Sequence, residues 1–213
     1  VLGLFRYNWP KYINIYGKDI TEKKLAEEKL EKITAEKNHM ENEVKMATLV
    51  QEGFLPEAPP VIKGYQFAAK TLPAKFVGGD FFDFISLNEN SLGMVLGDVS
   101  GKGVSAALYM AKLMSDFRYV SFIHSDPGDV ISQINYILAN RARKGMFATA
   151  VFLILDIQNK KLNLCNAGHH SLIILRNKNQ FHEVGKAGGI PLGINKDAPY
   201  TKEEVVLQSG DIV

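Results

Sequence analysis

Apolar and polar positions follow three different rhythms along this chain. Near the start, Tyr12-Ile13-Asn14-Ile15-Tyr16 alternates and runs into Gly17-Lys18-Asp19, which predicts one edge strand closing in a turn. From Thr21 to about Gln51 the chain is rich in Glu and Lys and contains neither Gly nor Pro. Asp19 followed by Glu22 marks a helix start. Within that helix Ala26, Leu30, Ile33, Lys37, Met40, Val44 and Ala47 recur in steps of four and three, the seam of a coiled coil interrupted by Lys37. A solvated helix lying on its own domain would have the same composition; the spacing favours a dimeric coil.

After Pro56, Pro59 and Pro60 the pattern becomes globular. Phe67-Ala68-Ala69-Lys70 and Leu92-Gly93-Met94-Val95-Leu96 read as strands. A helix is expected from about Val104 to Phe122, with Val104, Ala107, Leu108, Ala111 and Met114 on its inner face. Asp126 as cap, Pro127 at the first position and apolar Val130, Ile131, Ile134 and Leu138 announce a second helix. Strand-like runs follow at Ala148 to Ile157, Lys161 to Ala167 and Leu172 to Arg176, with hairpin turns at Asn159-Lys160 and Asn177-Lys178-Asn179. Strands, two adjacent helices and more strands predict an α+β domain with an antiparallel sheet. Three segments result: 1–20, a helical linker over 21–50, and a globular domain over 51–213.

Composition narrows the function classes. The 213 residues are 46% hydrophobic and 23% charged, as in a soluble globular protein with a core of useful size. A net charge of +2 is too small to argue for nucleic acid or an anionic membrane as the main partner. The single cysteine, Cys165, has no internal disulfide partner, which fits a reducing compartment; in a strand pattern it reads as a small core residue. No apolar run approaches bilayer length and no signal peptide is visible, so a cytoplasmic location is expected. The chain opens at Val1 and closes on the strand-like Gly210-Asp211-Ile212-Val213, which reads as an internal piece of a longer protein.

The candidate chemistry lies in two glycine-rich turns, Val77-Gly78-Gly79-Asp80-Phe81-Phe82-Asp83 and Leu96-Gly97-Asp98-Val99-Ser100-Gly101-Lys102-Gly103. Glycine lets backbone approach a ligand, and a carboxylate beside such a turn suits a hard, oxygen-seeking cation. Two of these turns suggest a metal site for phosphate chemistry. Asp83 reads equally as support for that site or as a surface carboxylate. His169 and His170 at a strand end invite a chemical role, but a hydrogen-bonded structural one is the commoner use of such a position.

Taken in order, Gln51-x3-Leu55-Pro56, Pro73-Ala74, the two turns, Asn166-Ala167-Gly168-His169 and Pro191-Leu192-Gly193 resemble the SpoIIE/RsbU-type serine phosphatases of the metal-dependent, type-2C protein phosphatase family. The resemblance covers Gln51 to the end; the segment ending Gly17-Lys18-Asp19-Ile20-Thr21-Glu22 resembles the exit of a PAS sensor domain. It implies an αββα sandwich holding two Mn(2+) or Mg(2+) ions, with Asp98 bridging both, the Val99 carbonyl contributing a ligand and Asp80 beside the second ion. Asp80 and Asp98 would then be the catalytic residues, acting by direct in-line attack of water. The substrate implied is a phosphorylated protein such as a STAS-domain anti-anti-sigma factor, with homodimerisation through the 21–50 helix. The family's remaining metal aspartates occupy a Thr-Asp-Gly and an Asp-Asp turn beyond the Gly-Asp-Ile-Val segment. The 213 residues are therefore expected to be nearly inactive, C-terminally incomplete and marginally soluble.

Other readings compete. Gly97 to Gly103 is not a nucleotide P-loop, because the required earlier Gly is absent and Gly103 replaces the Ser/Thr that would hold magnesium. Gly78-Gly79-Asp80-Phe81-Phe82 resembles the GGDEF signature of diguanylate cyclases, but Phe81 stands where that signature is acidic. The cyclase is thus a distant alternative, and a non-catalytic dimeric module that only binds its phosphoprotein or a partner kinase is the nearer one.

Overall fold

The structure, a computed structural model, describes residues 3–5, 14–16, 19–72, 77–141, 145–177, 179–186 and 188–213. The chain divides into two compact units, Val1–Glu43 and Val44–Val213. In the first, strands β1 (Gly3–Phe5) and β2 (Asn14–Tyr16) pair antiparallel, so the expected single strand has a partner. Tyr12, Ile13, Gly17 and Lys18 lie outside the described residues.

Helix α1 (Thr21–Glu52) begins where the sequence places it: the Asp19 carboxylate accepts from the Thr21 amide at 2.9 Å. Ion pairs one turn apart, Lys23–Glu27 at 3.7 Å and Lys37–Glu41 at 3.7 Å, line its polar surface. Seam residues Leu30, Ile33 and Met40 are 65%, 52% and 64% exposed in the single chain.

The second unit is built on a five-stranded antiparallel sheet in the order β3 (Phe81–Asn88), β4 (Ser91–Val99), β5 (Ala148–Asp156), β6 (Lys161–Ala167), β9 (Lys202–Val206). Between β4 and β5 the chain forms α2 (Val104–Ile123) and α3 (Pro127–Arg141), and between β6 and β9 a separate hairpin, β7 (Leu172–Arg176) with β8 (Gln180–Val184). Strand β5 shows how the layers form. Its alternate residues Ala148, Ala150, Phe152 and Ile154 pack under α2 and α3, while Val151, Leu153 and Leu155 pack toward Ile174 and Val184 of the hairpin. A strand buried on both faces reads as continuous apolar sequence, as 150–155 does. Helices on one face of the large sheet and a second small sheet on the other are three layers of the expected α+β sandwich.

Three local expectations change. Phe67 to Lys70 form no strand; Phe67 instead stacks on Tyr65 and meets Phe84 edge-on, with ring centroids 6.2 and 5.8 Å away. Helix α2 buries Ala106, Met110, Leu113, Met114, Phe117 and Val120, so of the expected face only Met114 is fully buried, while Val104 and Leu108 are exposed. The cause is that α2 is apolar nearly all round, so its period does not select a phase. Finally, the segment read as the tail of the first glycine-rich turn is already strand β3 from Phe81. The Asp126 cap stands, its carboxylate accepting from the Gly128 amide at 2.8 Å.

A nearly buried pair fastens the end of the chain to the hairpin. Arg176 Nη2 donates to Asp211 Oδ2 at 2.6 Å and to the Val206 carbonyl at 3.0 Å, and Ile212 pairs with Leu175. The Arg176 guanidinium holds the Asp211 carboxyl below the ordinary aspartate value. A lowered folded-state pKa adds stability that is present above the unfolded value of about 3.9 and is lost as pH falls through the folded one. Asp211→Asn is therefore expected to lower the urea midpoint at pH 7 and to flatten its dependence on pH below about 4. A midpoint that still falls as steeply with acid as wild type would contradict this.

Candidate functional site

The two glycine-rich turns meet at one end of the β3–β4 pair. Phe81 lies opposite Gly97 in the ladder, so Asp80 and Asp98 emerge together. Glycine is required where they touch: a Cβ on Gly79 would stand 2.5 Å from the Val99 carbonyl oxygen and 3.0 Å from Asp98 Oδ1. One on Gly97 would lie 2.6 Å from the Phe81 ring. The Val99 amide donates to the Gly79 carbonyl at 3.3 Å, closing the contact. Burial, then the charge of Asp80 and a hydrogen bond with it, push the Asp98 carboxyl above its ordinary value; a hydrogen bond from the Val99 amide opposes them.

Each turn is held from behind. Gln51, the one buried residue of α1, grips Gly78 at both ends of its amide: Nε2 donates to the Gly78 carbonyl at 2.6 Å and Oε1 accepts from the Gly78 amide at 3.1 Å. On the other side Ser100 is fixed to Phe147, donating its amide at 2.8 Å and accepting at Oγ at 3.0 Å. Asp83 does not face the pair across the turn. It is only 3% exposed and binds Arg118 Nε at 2.6 Å, while Arg118 Nη2 reaches the Phe54 carbonyl at 2.8 Å. A buried carboxylate so paired is support for the fold beneath the site.

Two later motifs join the same corner. Thr149 is the register partner of Asp98, and its Oγ1 lies 2.8 Å from His169 Nδ1. The Asp80 carboxylate acts on the His169 ring, opposing burial and His170, which together hold that ring below its ordinary pKa. Gly168, at φ +68°, pairs with Ala150 and packs so closely on Pro191 that a Cβ would meet its ring at 2.6 Å. Leu192 in turn exchanges hydrogen bonds with Ala148 at 2.7 and 3.1 Å, and buried Asn135 accepts from the Gly193 amide at 2.8 Å. Pro73 and Ala74 lie outside the described residues.

As a donor set, Asp80, Asp98 and the Val99 carbonyl are hard oxygens, which suits Mg(2+) or Mn(2+), and two adjacent carboxylates are relieved of their repulsion by a cation. The set is small. Among the described residues no group of three or more His, Cys, Asp and Glu side chains is placed to hold a metal ion. Cys165 is buried, its thiol pushed up to about 12 by burial, and takes no part. Lys102 is exposed beside the uncapped start of α2. Thr149 and Arg118 carry no sequence signal for the site, because only register and packing give each its partner. No helix among the described residues is long and apolar enough to cross a membrane.

Several known proteins resemble this chain. Protein IcfG of Synechocystis is 29% identical over 199 residues, covering 80% of this chain and 31% of its own length. Phosphoserine phosphatase RsbU of Bacillus subtilis is 28% identical over 177 residues, covering 82% of this chain and 52% of its own. The chain thus spans between about a third and about half of these relatives. The solved SiaA-PP2C domain of Pseudomonas aeruginosa superposes with a TM-score of 0.71 at 19% identity, over 83% of this chain and 71% of that one, which shows a PP2C-type fold. Residues 88–213 match the family described as Stage II sporulation protein E (SpoIIE), and with more than half of its length matched the chain belongs to that family.

Proposed function

We propose that the chain is the catalytic part of a signalling serine/threonine protein phosphatase whose acidic pair, Asp80 with Asp98, works on the phosphate of a phosphoserine or phosphothreonine. The observation that carries this is the pairing itself: two turns distant in sequence bring two carboxylates into hydrogen-bonding reach, at a cost that a cation removes. Asp80, Asp98 and the Val99 carbonyl would hold Mn(2+) or Mg(2+). When bound, such ions supply an acidified water and offset charge on the phosphate. The chain's own residues then have separate tasks. Asp98 and Asp80 orient what binds there, Gly79 leaves room beside the Val99 carbonyl, and Gln51 and Ser100 hold the two turns in place. Asp83 with Arg118 is support below the site.

The substrate we favour is a STAS-domain anti-anti-sigma protein, and the sensor we favour for residues 1–20 is the end of a PAS domain, in a cytoplasmic protein. Gln51 offers a route from linker to site, because the last turn of α1 holds the turn that carries Asp80. The small donor set favours a second reading for the 213 residues taken alone, a module that binds its phosphoprotein without turning it over.

Phosphate release from a phosphoserine STAS protein is expected to require manganese in a chain extended by the family's Thr-Asp-Gly and Asp-Asp turns. Asp98→Asn should lower that rate by more than about 100-fold, since even residues behind metal ligands account for about 10–100-fold. The unextended chain should be slower by a similar factor; equal turnover would remove the incomplete-site reading. Binding without release by the extended chain would instead favour the binding module.

Sedimentation equilibrium at tens of micromolar is expected to give a dimer that Ile33→Lys converts to monomer. A wild-type monomer would exclude the coil. Inserting two residues near Met40, which breaks the heptad phase, should change the regulated activity of the longer protein; unchanged regulation would disconnect the linker from the site.

A further inference from the structure

His169 is built into the site more firmly than a turn residue needs to be. The turn that carries it is clamped by Asn166, which is buried: Oδ1 accepts from the His169 amide at 2.7 Å, and Nδ2 donates to the His169 carbonyl at 3.0 Å and to the Gly185 carbonyl at 2.9 Å. Gly188 presses on this clamp so closely that a Cβ would stand 1.8 Å from the Asn166 carbonyl oxygen. The ring itself is fixed by the Thr149 hydroxyl at Nδ1, 2.8 Å away, and Thr149 is opposite Asp98 in the ladder. The clamp thus fixes the His169 backbone, and Thr149 ties its ring to the strand position opposite Asp98. Among the described residues Nε2 has no hydrogen-bond partner, and the half-buried His169 lines a cleft of about 210 Å³.

That cleft is polar. Ser171 and Lys186 both bind Glu183, the lysine at 2.7 Å, so the charges on the wall are paired, and glycines 168, 185, 188 and 189 leave much of the remaining wall as bare backbone. Such a wall suits an extended polypeptide more than an apolar ligand.

We propose that His169 is a substrate-binding residue of this site, whose Nε2–H donates to the phosphate of a phosphoserine while the adjacent cleft seats the polypeptide beside it. This rests on the phosphatase reading above. Phosphate oxygens only accept, so Nε2 must carry the hydrogen, and a Thr149 hydroxyl donating to Nδ1 selects that tautomer. Burial and the neighbouring His170 favour the uncharged ring, which still donates from Nε2.

The test is fluorescence anisotropy of a labelled phosphoserine peptide and its unphosphorylated twin, with manganese present, on the full chain. Wild type should prefer the phosphorylated peptide. His169→Ala should reduce that preference by about tenfold, the worth of one hydrogen bond to a charged group, and His169→Gln should recover part of it. Thr149→Val should reduce it by a few-fold, whereas Thr149→Ser should keep it. Urea midpoints separate folding from recognition, and if His169→Ala does not fold, Thr149→Val decides alone. An unchanged preference in folded variants, or equal losses for both peptides, would overturn the role of His169 and leave the phosphatase reading standing. A wild-type chain with no preference for phosphate would remove that reading and the inference with it.

Discussion

The Val99 amide meets the Gly79 carbonyl at 3.3 Å, and a methyl group on Gly79 would lie 2.5 Å from the Val99 carbonyl oxygen. This contact between two backbones is the constraint on which the site depends. It sets the separation of the first glycine-rich turn from the second, and so places Asp80 beside Asp98. Burial first, and then the neighbouring charge of Asp80, push the Asp98 carboxyl above its ordinary value. The backbone that carries the two carboxylates is held, because the β3–β4 ladder begins one residue beyond Asp80 and still includes Asp98. A cation between the two carboxylates would offset their mutual repulsion.

The surroundings work to the same end by different means. Gln51 satisfies both polar groups of Gly78, so the turn is anchored without placing another charge near the pair. Asp83, three residues beyond Asp80, has its charge neutralised by Arg118 and is withdrawn beneath the sheet edge. On the far side, the close packing of Gly168 on Pro191 and the Asn166 clamp place His169 and Thr149 against the same corner. Polar groups around the acidic pair are thus mostly neutral donors and acceptors, which leaves the two carboxylates as the dominant local charge.

Much of this was legible in the chain. The Asp19 and Asp126 caps, the start of α3 at Pro127 and the strands at 148–156, 161–167 and 172–176 follow from capping chemistry, continuous apolar runs and period-two alternation, all local properties. Asp80 and Asp98 stood out because glycine beside a carboxylate has a steric meaning that a single sequence displays. His169 stood out too, but its spacing could not distinguish a structural role from one at the site.

What tertiary structure decided is of another kind. Helix α2 is apolar on nearly every side, so only the sheet beneath it determines that Met110 and Phe117 turn inward and Leu108 outward. Phe67 had the composition of a strand and became an aromatic plug because its backbone found no ladder partner while its ring found Tyr65 and Phe84. Thr149 acquires meaning only through the register that sets it opposite Asp98, and Arg118 only through its fit to Asp83. The sequence by itself determined the three helices and the strands at 91–99, 148–156, 161–167 and 172–176, and it singled out Asp80 and Asp98 as candidates, because those depend on neighbours along the chain. Which faces turn inward, and which distant side chains touch, waited for the fold, because register and packing are settled only when all the segments compete for one core.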